Sequence, residues 1–351
     1  MKADERLAIL RGLPKIELHR HLEGSLRLGT LLELGKRYGL DLPLDSETSL
    51  ARLVTFNDDE PRTLANFLTK FRSDWYRSYK DIERVTAEAV RDAASEGIVH
   101  LELRFSPEHL TRTSGLQIEG ALQAVCESGI AAAAEEGISI RFILTFARER
   151  YSYASWTEMV DLGVRMHEMG ISGVDLAGDE FQHANREFER FFRRVRDIGE
   201  LGITIHAGEG TSAEQVASAV GSLSAVRIGH GIEAARDDEV TAMLAAGRVT
   251  LEMCPISNFQ TGCIDRLDQH PLPRLDRAGV PVTINADDPA IHCTSINDDY
   301  DVAASRWGYS LDDLLRLERN AVAAAFLPEE ERAALLDRVE RGYQESRGQG
   351  L

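Results

Sequence analysis

Cysteine is scarce in this chain: there are four in 351 residues, Cys126, Cys254, Cys263 and Cys293, and no two form a Cys-x-x-Cys pair. So few scattered thiols exclude a disulfide framework and set the expectation of a reduced, cytoplasmic protein. Long apolar runs are also missing. No stretch approaches the ~20 residues that a membrane-spanning helix needs. The segment from Met1 to Arg11 mixes charges with short apolar groups and lacks the apolar core of a signal peptide. Positive charge is in deficit, with Lys+Arg 40 against Asp+Glu 58 and a formal net charge of −18. A surface this acidic repels phosphate backbones and anionic membranes, so neither nucleic acid nor membrane is an expected partner, and the acidity serves solubility. Linkers rich in Pro, Gly or Ser, low-complexity runs and internal repeats of 20–50 residues are absent too. The 43% hydrophobic composition suffices for a large core. A single domain over residues 1–351 is the expectation.

What is present is alternation. Short apolar, often β-branched runs fall at Ile16–His21, Ile98–Phe105, Ile138–Phe146, Ile171–Leu176, Ile203–His206, Val226–His230, Val249–Met253 and Val282–Asn285. Between them apolar residues recur at spacings of three and four, as in Ile82-Val85-Ala89-Val90 and Phe188-Phe191-Phe192-Val195. Gly97, Gly137, Gly170, Gly202, Gly247 and Gly279 stand just before runs and read as helix C-caps. Strand–helix alternation repeated eight times predicts parallel strands closed into a (β/α)8 TIM barrel. The stretch 28–96 is too long for one crossover helix and predicts extra helices over the barrel mouth, a candidate lid. The segment from Ser310 onward predicts helices packed outside. An open doubly wound sheet would want a Gly-rich phosphate turn after the first strand, where this chain has His19-Arg-His21-Leu-Glu23-Gly24.

Barrel enzymes build their sites at the C-terminal ends of the strands. The first run ends in His19-Arg20-His21, and side chains two apart in a strand share a face, so both imidazoles aim at one point. The fifth ends in His206-Ala-Gly-Glu209. A third imidazole there leaves an open metal position, while Glu209 reads either as a catalytic carboxylate or as a helix N-terminal charge. The sixth ends in Gly229-His230-Gly231, where His230 reads as a fourth ligand, a general base or a core histidine. The eighth ends in Asn285-Ala-Asp287-Asp288-Pro289. Adjacent buried carboxylates need a cation or a proton, although Asp-Pro is also a good helix entry. The fourth ends in Asp175-Leu-Ala-Gly178-Asp179-Glu180, with the Gly178 N–H open to the mouth. The seventh, Met253-Cys254-Pro255-Ile256-Ser257-Asn258, reads as a shaped loop around a buried thiol.

His-x-His-Leu-x-Gly, Asp-Leu-Ala-Gly-Asp-Glu, His-Ala-Gly-Glu, Gly-His-Gly and Asp-Asp-Pro, in this order, resemble the adenosine deaminase family, a branch of the amidohydrolase superfamily. The likeness runs from Leu13 to about Tyr300. It includes Leu64-Ala-Asn-Phe67-Leu-Thr-Lys-Phe71 and Glu102-Leu-Arg104-Phe-Ser-Pro107. The resemblance implies one zinc ion held by His19, His21, His206 and Asp287, with His230 on the attacking water. It further implies Glu209 as proton donor to N1 of the purine, Asp288 at N7 and the Gly178 N–H at N3. The implied reaction is hydrolytic deamination of adenosine or 2′-deoxyadenosine to the inosine counterpart and ammonia. The fourth run carries no lysine to bridge a second metal. The Pro-Cys-x-x-Cys signature of cytidine-type zinc deaminases is absent. One position departs from the family: where its members carry an aspartate that meets the ribose 5′-hydroxyl, this chain has Glu23. The altered reach makes 5′-modified adenosines such as aminodeoxyfutalosine, or free adenine, the alternative substrates. The end of the second run and the long lid region look more like the nucleoside enzymes.

Overall fold

The computed structural model describes residues 3–347. Its eight strands are β1 (Lys15–His21), β2 (Ile98–Phe105), β3 (Ser139–Ala147), β4 (Ile171–Ala177), β5 (Gly202–Ala207), β6 (Arg227–His230), β7 (Thr250–Met253) and β8 (Val282–Ile284). They stand side by side in chain order, every neighbouring pair parallel. Main-chain bonds just past β8 close the ring: Asp287 N donates to His19 O at 2.9 Å, and His21 N donates to Asp287 O at 3.0 Å. The expected TIM barrel is therefore present, with every strand at its expected place.

Alternation along the strands sorts the side chains into two shells. Residues such as Leu18, Leu103, Phe146, Leu176, Ile205 and Leu251 are fully buried in the apolar layer between strands and helices. Most inward positions are polar. Arg104 on β2 pairs with Asp175 on β4 at 3.1 Å and with Glu252 on β7 at 2.6 Å. Arg227 on β6 pairs with Glu102 and Glu252, both at 2.6 Å. Thr204 on β5 donates to Glu252 at 3.0 Å. Barrel interiors are more often filled with branched apolar side chains. Here two arginines and three carboxylates are joined in direct ion pairs, the state in which so much buried charge is tolerable.

At the foot of the barrel Phe326 lies under the strands, its ring 3.7 Å from the Arg227 guanidinium. A Cβ on Gly202 would come within 2.3 Å of that ring. This explains one correction: Gly202 opens β5 and is not a helix cap, and Gly247 ends its helix without leaving it. The left-handed caps at those two places are Gly199 (φ 76°) and Arg248 (φ 51°).

The region 28–96 folds into helices Leu28–Tyr38, Glu47–Val54, Leu64–Leu68 and Tyr79–Ser95. Only the third, with the loop that follows it, reaches the cavity at the barrel mouth, through Leu64, Phe67, Leu68 and Phe71. The helix Tyr79–Ser95 packs on β2 and on the helix Ile118–Glu136, so it belongs to the outer ring. Of the stretch 28–96, the part that lines the cavity is therefore 64–71. Beyond Ser310, the helix Leu311–Ala324 packs against β8 and β1, where its buried Glu318 accepts the Ile16 N–H at 2.9 Å. No described helix is long and apolar enough to cross a membrane.

Candidate active site and metal centre

The C-terminal ends of β1, β5, β6 and β8 meet at one point. The ligand atoms of His19, His21, His206 and Asp287 all lie within 4.8 Å of one another. Asp287 Oδ1 is 3.3 Å from His19 Nε2 and 3.4 Å from His21 Nε2. Each imidazole is set from behind. His19 Nδ1–H donates to Glu252 at 2.8 Å, and His206 Nδ1–H donates to Asp175 at 2.9 Å. With the proton held on Nδ1, both rings turn an Nε2 lone pair inward.

That arrangement fits a cation. His19 Nε2 is buried with no hydrogen-bond partner. The Nε2 atoms of His21 and His206 face each other at 3.3 Å. Inward lone pairs so close are repulsive until a positive ion lies among them. Three imidazoles and one carboxylate are the donor set of a catalytic zinc site. Two other groupings, His230–Cys254–Asp287 and Asp287–Asp288–His292, share Asp287 with the first and so describe the same centre. Burial pushes the Cys254 thiol well up, away from the thiolate a metal would take.

His230 and Asp287 both hold left-handed backbones, φ 59° and φ 60°. Residues with a Cβ adopt this at a cost of about 1–3 kcal/mol, and such strain gathers at functional sites. Ser257 Oγ–H donates to Asp287 Oδ2 at 2.7 Å and fixes the carboxylate. Asp287 is held well below its usual range: burial opposes this, but the close approach of His19 and the other neighbouring imidazoles prevail. Its neighbour Asp288 moves the other way, well above the usual range, through burial and then the Asp287 charge. Room for it exists only because residue 24 is glycine, where a Cβ would fall 1.7 Å from Asp288 Oδ1.

Glu209 lies beyond β5, its Oε2 3.8 Å from His230 Nε2. Burial, with the charges of Asp287 and Glu180, pushes its carboxyl up to about 8. Glu180 grips the loop, accepting the N–H groups of Gly208 and Glu209 at 2.9 and 2.8 Å. Glu23 accepts the Ser106 N–H at 2.7 Å, and burial raises its carboxyl to about 7.

Sequence reasoning passed over the relay behind His230. Leu272 N–H donates to His270 Nδ1 at 3.1 Å, so His270 carries its proton on Nε2 and donates to Asn258 Oδ1 at 3.2 Å. The Asn258 amide N–H is then turned to His230 Nδ1 at 3.0 Å. The loop read as a shaped turn thus supplies two functional contacts, Ser257 and Asn258. Asp175 and Glu252 were missed as histidine anchors. The signal for them was a carboxylate at an inward strand position.

These groups surround a cavity of about 410 Å³ lined by His21, Glu23, His206, Glu209, His230, Asp287, Asp288 and Gly178, with the 64–71 segment as one wall. This volume lies within the roughly 300–1,000 Å³ usual for small-molecule sites. A larger hollow of about 970 Å³ opens at the other end, among the strand starts and Phe326. It contains none of these groups and lies on the face that barrels use for stability.

A buried three-histidine, one-aspartate centre at the C-terminal mouth of a TIM barrel defines a metal-dependent hydrolase of the amidohydrolase kind. The sequence pattern of the family described as adenosine deaminase matches residues 14–342. An adenosine deaminase from Erwinia tasmaniensis is 39% identical over 331 residues, 93% of this chain and 98% of that protein. Among solved structures, an adenine deaminase from Arthrobacter aurescens shares 29% identity with a TM-score of 0.86, covering 95% of this chain and 99% of that one. The N6-methyl-AMP deaminase of Arabidopsis thaliana shares 28% with a TM-score of 0.84, covering 97% and 99%. The chain belongs to the adenosine deaminase family, and it is an aminohydrolase that binds a metal ion.

Proposed function

We propose that the chain, acting as one catalytic unit, hydrolyses the 6-amino group of adenosine or 2′-deoxyadenosine, giving inosine or 2′-deoxyinosine and ammonia. The ion is one zinc, held by His19, His21, His206 and Asp287. The relatives named above support a 6-aminopurine substrate. The observation that carries the reading is the placement of Glu209, a buried carboxyl that lines the cavity with its Oε2 3.8 Å from His230 Nε2, where burial favours its protonated form.

When bound, zinc supplies Lewis acidity that lowers the pKa of water from about 15.7 to about 7. The protein's residues do the rest. Glu209 delivers its proton to N1, which withdraws electrons from C6 and opens it to attack. Asp288, kept neutral by burial beside Asp287, donates its proton in a hydrogen bond to N7. The N–H of Gly178, whose φ of 103° is open to glycine alone, serves N3. Glu23 stands toward the sugar. His230 departs from the general-base expectation. Its Nδ1 accepts from Asn258, so the neutral ring carries its proton on Nε2 and offers a hydrogen-bond donor to the attacking oxygen. It orients the nucleophile and supports the charge that develops there, while the Glu209 carboxylate left by the transfer to N1 takes the proton of the attacking water and returns it to the amino nitrogen, which leaves as ammonia.

The test is an ultraviolet assay of zinc-loaded protein with adenosine, 2′-deoxyadenosine and adenine side by side. Conversion of the nucleosides to 6-oxopurines with one ammonia each is expected. Absence of turnover with metal bound overturns the reading.

A further inference from the structure

We propose that Glu17 is a positioning residue of the metal centre: its carboxylate splices the seam between β8 and β1 and so sets His19 against Asp287. The inference rests on the metal-site reading above.

Seven parallel ladders join the eight strands in chain order, and among the described residues no ladder joins β8 to β1. β8 is only 3 residues long. β1 is irregular beside the seam. The stretch from Glu17 to Arg20 lies opposite Leu101 to Leu103 of β2, so β1 carries one extra residue at Leu18–His19. A bulge of this kind re-aims a side chain and disrupts the ladder locally. Side chains take up the main-chain groups here. Leu18 N–H donates to Asn285 Oδ1 at 3.1 Å, and His19 N–H donates to Glu17 Oε1 at 2.8 Å. The second oxygen of that carboxylate, Glu17 Oε2, accepts the Ala286 N–H at 2.9 Å. Immediately beyond, the main-chain bonds of Asp287 with His19 and His21 begin.

Glu17 therefore holds one metal-ligand residue by its own N–H and another by the residue before it. The carboxylate is fully buried and forms no ion pair among the described residues, so it stands outside the network of Arg104 and Arg227. A carboxylate is a costly choice for filling space in a barrel wall. What it offers is two acceptor oxygens on one plane, one for each side of the seam. Glutamine would turn an N–H toward one of the two donors. The Asp287 Oδ1 separations of 3.3 Å from His19 Nε2 and 3.4 Å from His21 Nε2 are measured across this seam, so a slip there would misplace the ligands.

The experiment compares the wild type, Glu17→Gln, Glu17→Asp and Glu318→Gln, each titrated with zinc and with cobalt(II). Glu318 is the control: it is buried and accepts another β1 N–H, that of Ile16, away from the ligands. Glu17→Gln should bind zinc about 10–100-fold more weakly, as when a group behind a ligand is lost. The visible bands of bound cobalt(II) should shift, and kcat should fall with KM little changed. Glu17→Asp keeps both oxygens on a shorter stem and should recover part of the affinity. Glu318→Gln should melt at a lower temperature with zinc affinity and cobalt bands as in the wild type. Hydrogen exchange of the metal-free wild type needs no variant to fold, and the His19 and Ala286 amides should be protected before any metal is added. Wild-type affinity and bands in Glu17→Gln, a deficit matched by Glu318→Gln, or unprotected amides in the metal-free protein overturns the proposal and leaves the metal centre standing. A wild type that takes up neither zinc nor cobalt overturns the metal reading and this proposal with it.

Discussion

His19 Nδ1 lies 2.8 Å from Glu252 Oε2, and both side chains are fully buried. The same Glu252 takes Arg104, Arg227 and Thr204, so one carboxylate both sets an imidazole of the candidate metal centre and joins the charge pairs of the barrel interior. Replacing it with glutamine should therefore do two things. Metal affinity should fall by about 10–100-fold, the usual cost of losing a partner behind a ligand. Stability should fall by roughly 3–5 kcal/mol, because two buried arginines each lose one of their two counter-charges. A zinc competition titration and a thermal melt of Glu252→Gln check the pair. Unchanged affinity would remove Glu252 from the metal centre.

Glu209→Gln keeps the size of the side chain and removes the proton it can donate. Metal content and melting temperature should hold, while kcat falls by about 10²–10⁴, the range for a positioned acid. The native enzyme should show the matching pH dependence. The active form of Glu209 is the protonated one, and its carboxyl is raised to about 8. Activity should therefore be present below that pH and decline as pH rises through it. Glu209→Gln should lack this alkaline limb. A profile of kcat/KM against pH for both proteins reads the difference.

Asn258→Leu removes the donor that holds the His230 tautomer. The expected loss is about tenfold to a hundredfold in kcat, with KM and bound zinc little changed. Nitrogen NMR of the labelled imidazole should show the Nε2–H form in the native protein and a mixture in the variant. A native ring protonated on Nδ1 would contradict the donor role.

The clustering of His19, His21, His206 and Asp287 was legible because the pattern is local: a strand period of two aims His19 and His21 together, and strand order brings His206, His230 and Asp287 to the same rim. The shell behind them was not. Glu252 meets His19 across 233 residues, and Arg104 meets Glu252 across 148. An isolated glutamate or arginine in a strand does not announce a partner so distant. Asn258 and His270 are ordinary loop residues until the chain folds. Phe326 and Gly202 likewise explain each other only in space, which is why the glycine looked like a cap.

The measurement closest to the central claim is a zinc titration of metal-free protein, followed by adenosine deamination at each step. Activity should be absent at the start, rise linearly and break at one zinc per chain, with the break lost in Asp287→Ala. Activity that survives without metal, or that continues to rise to two zinc ions per chain, would contradict a single centre built from His19, His21, His206 and Asp287.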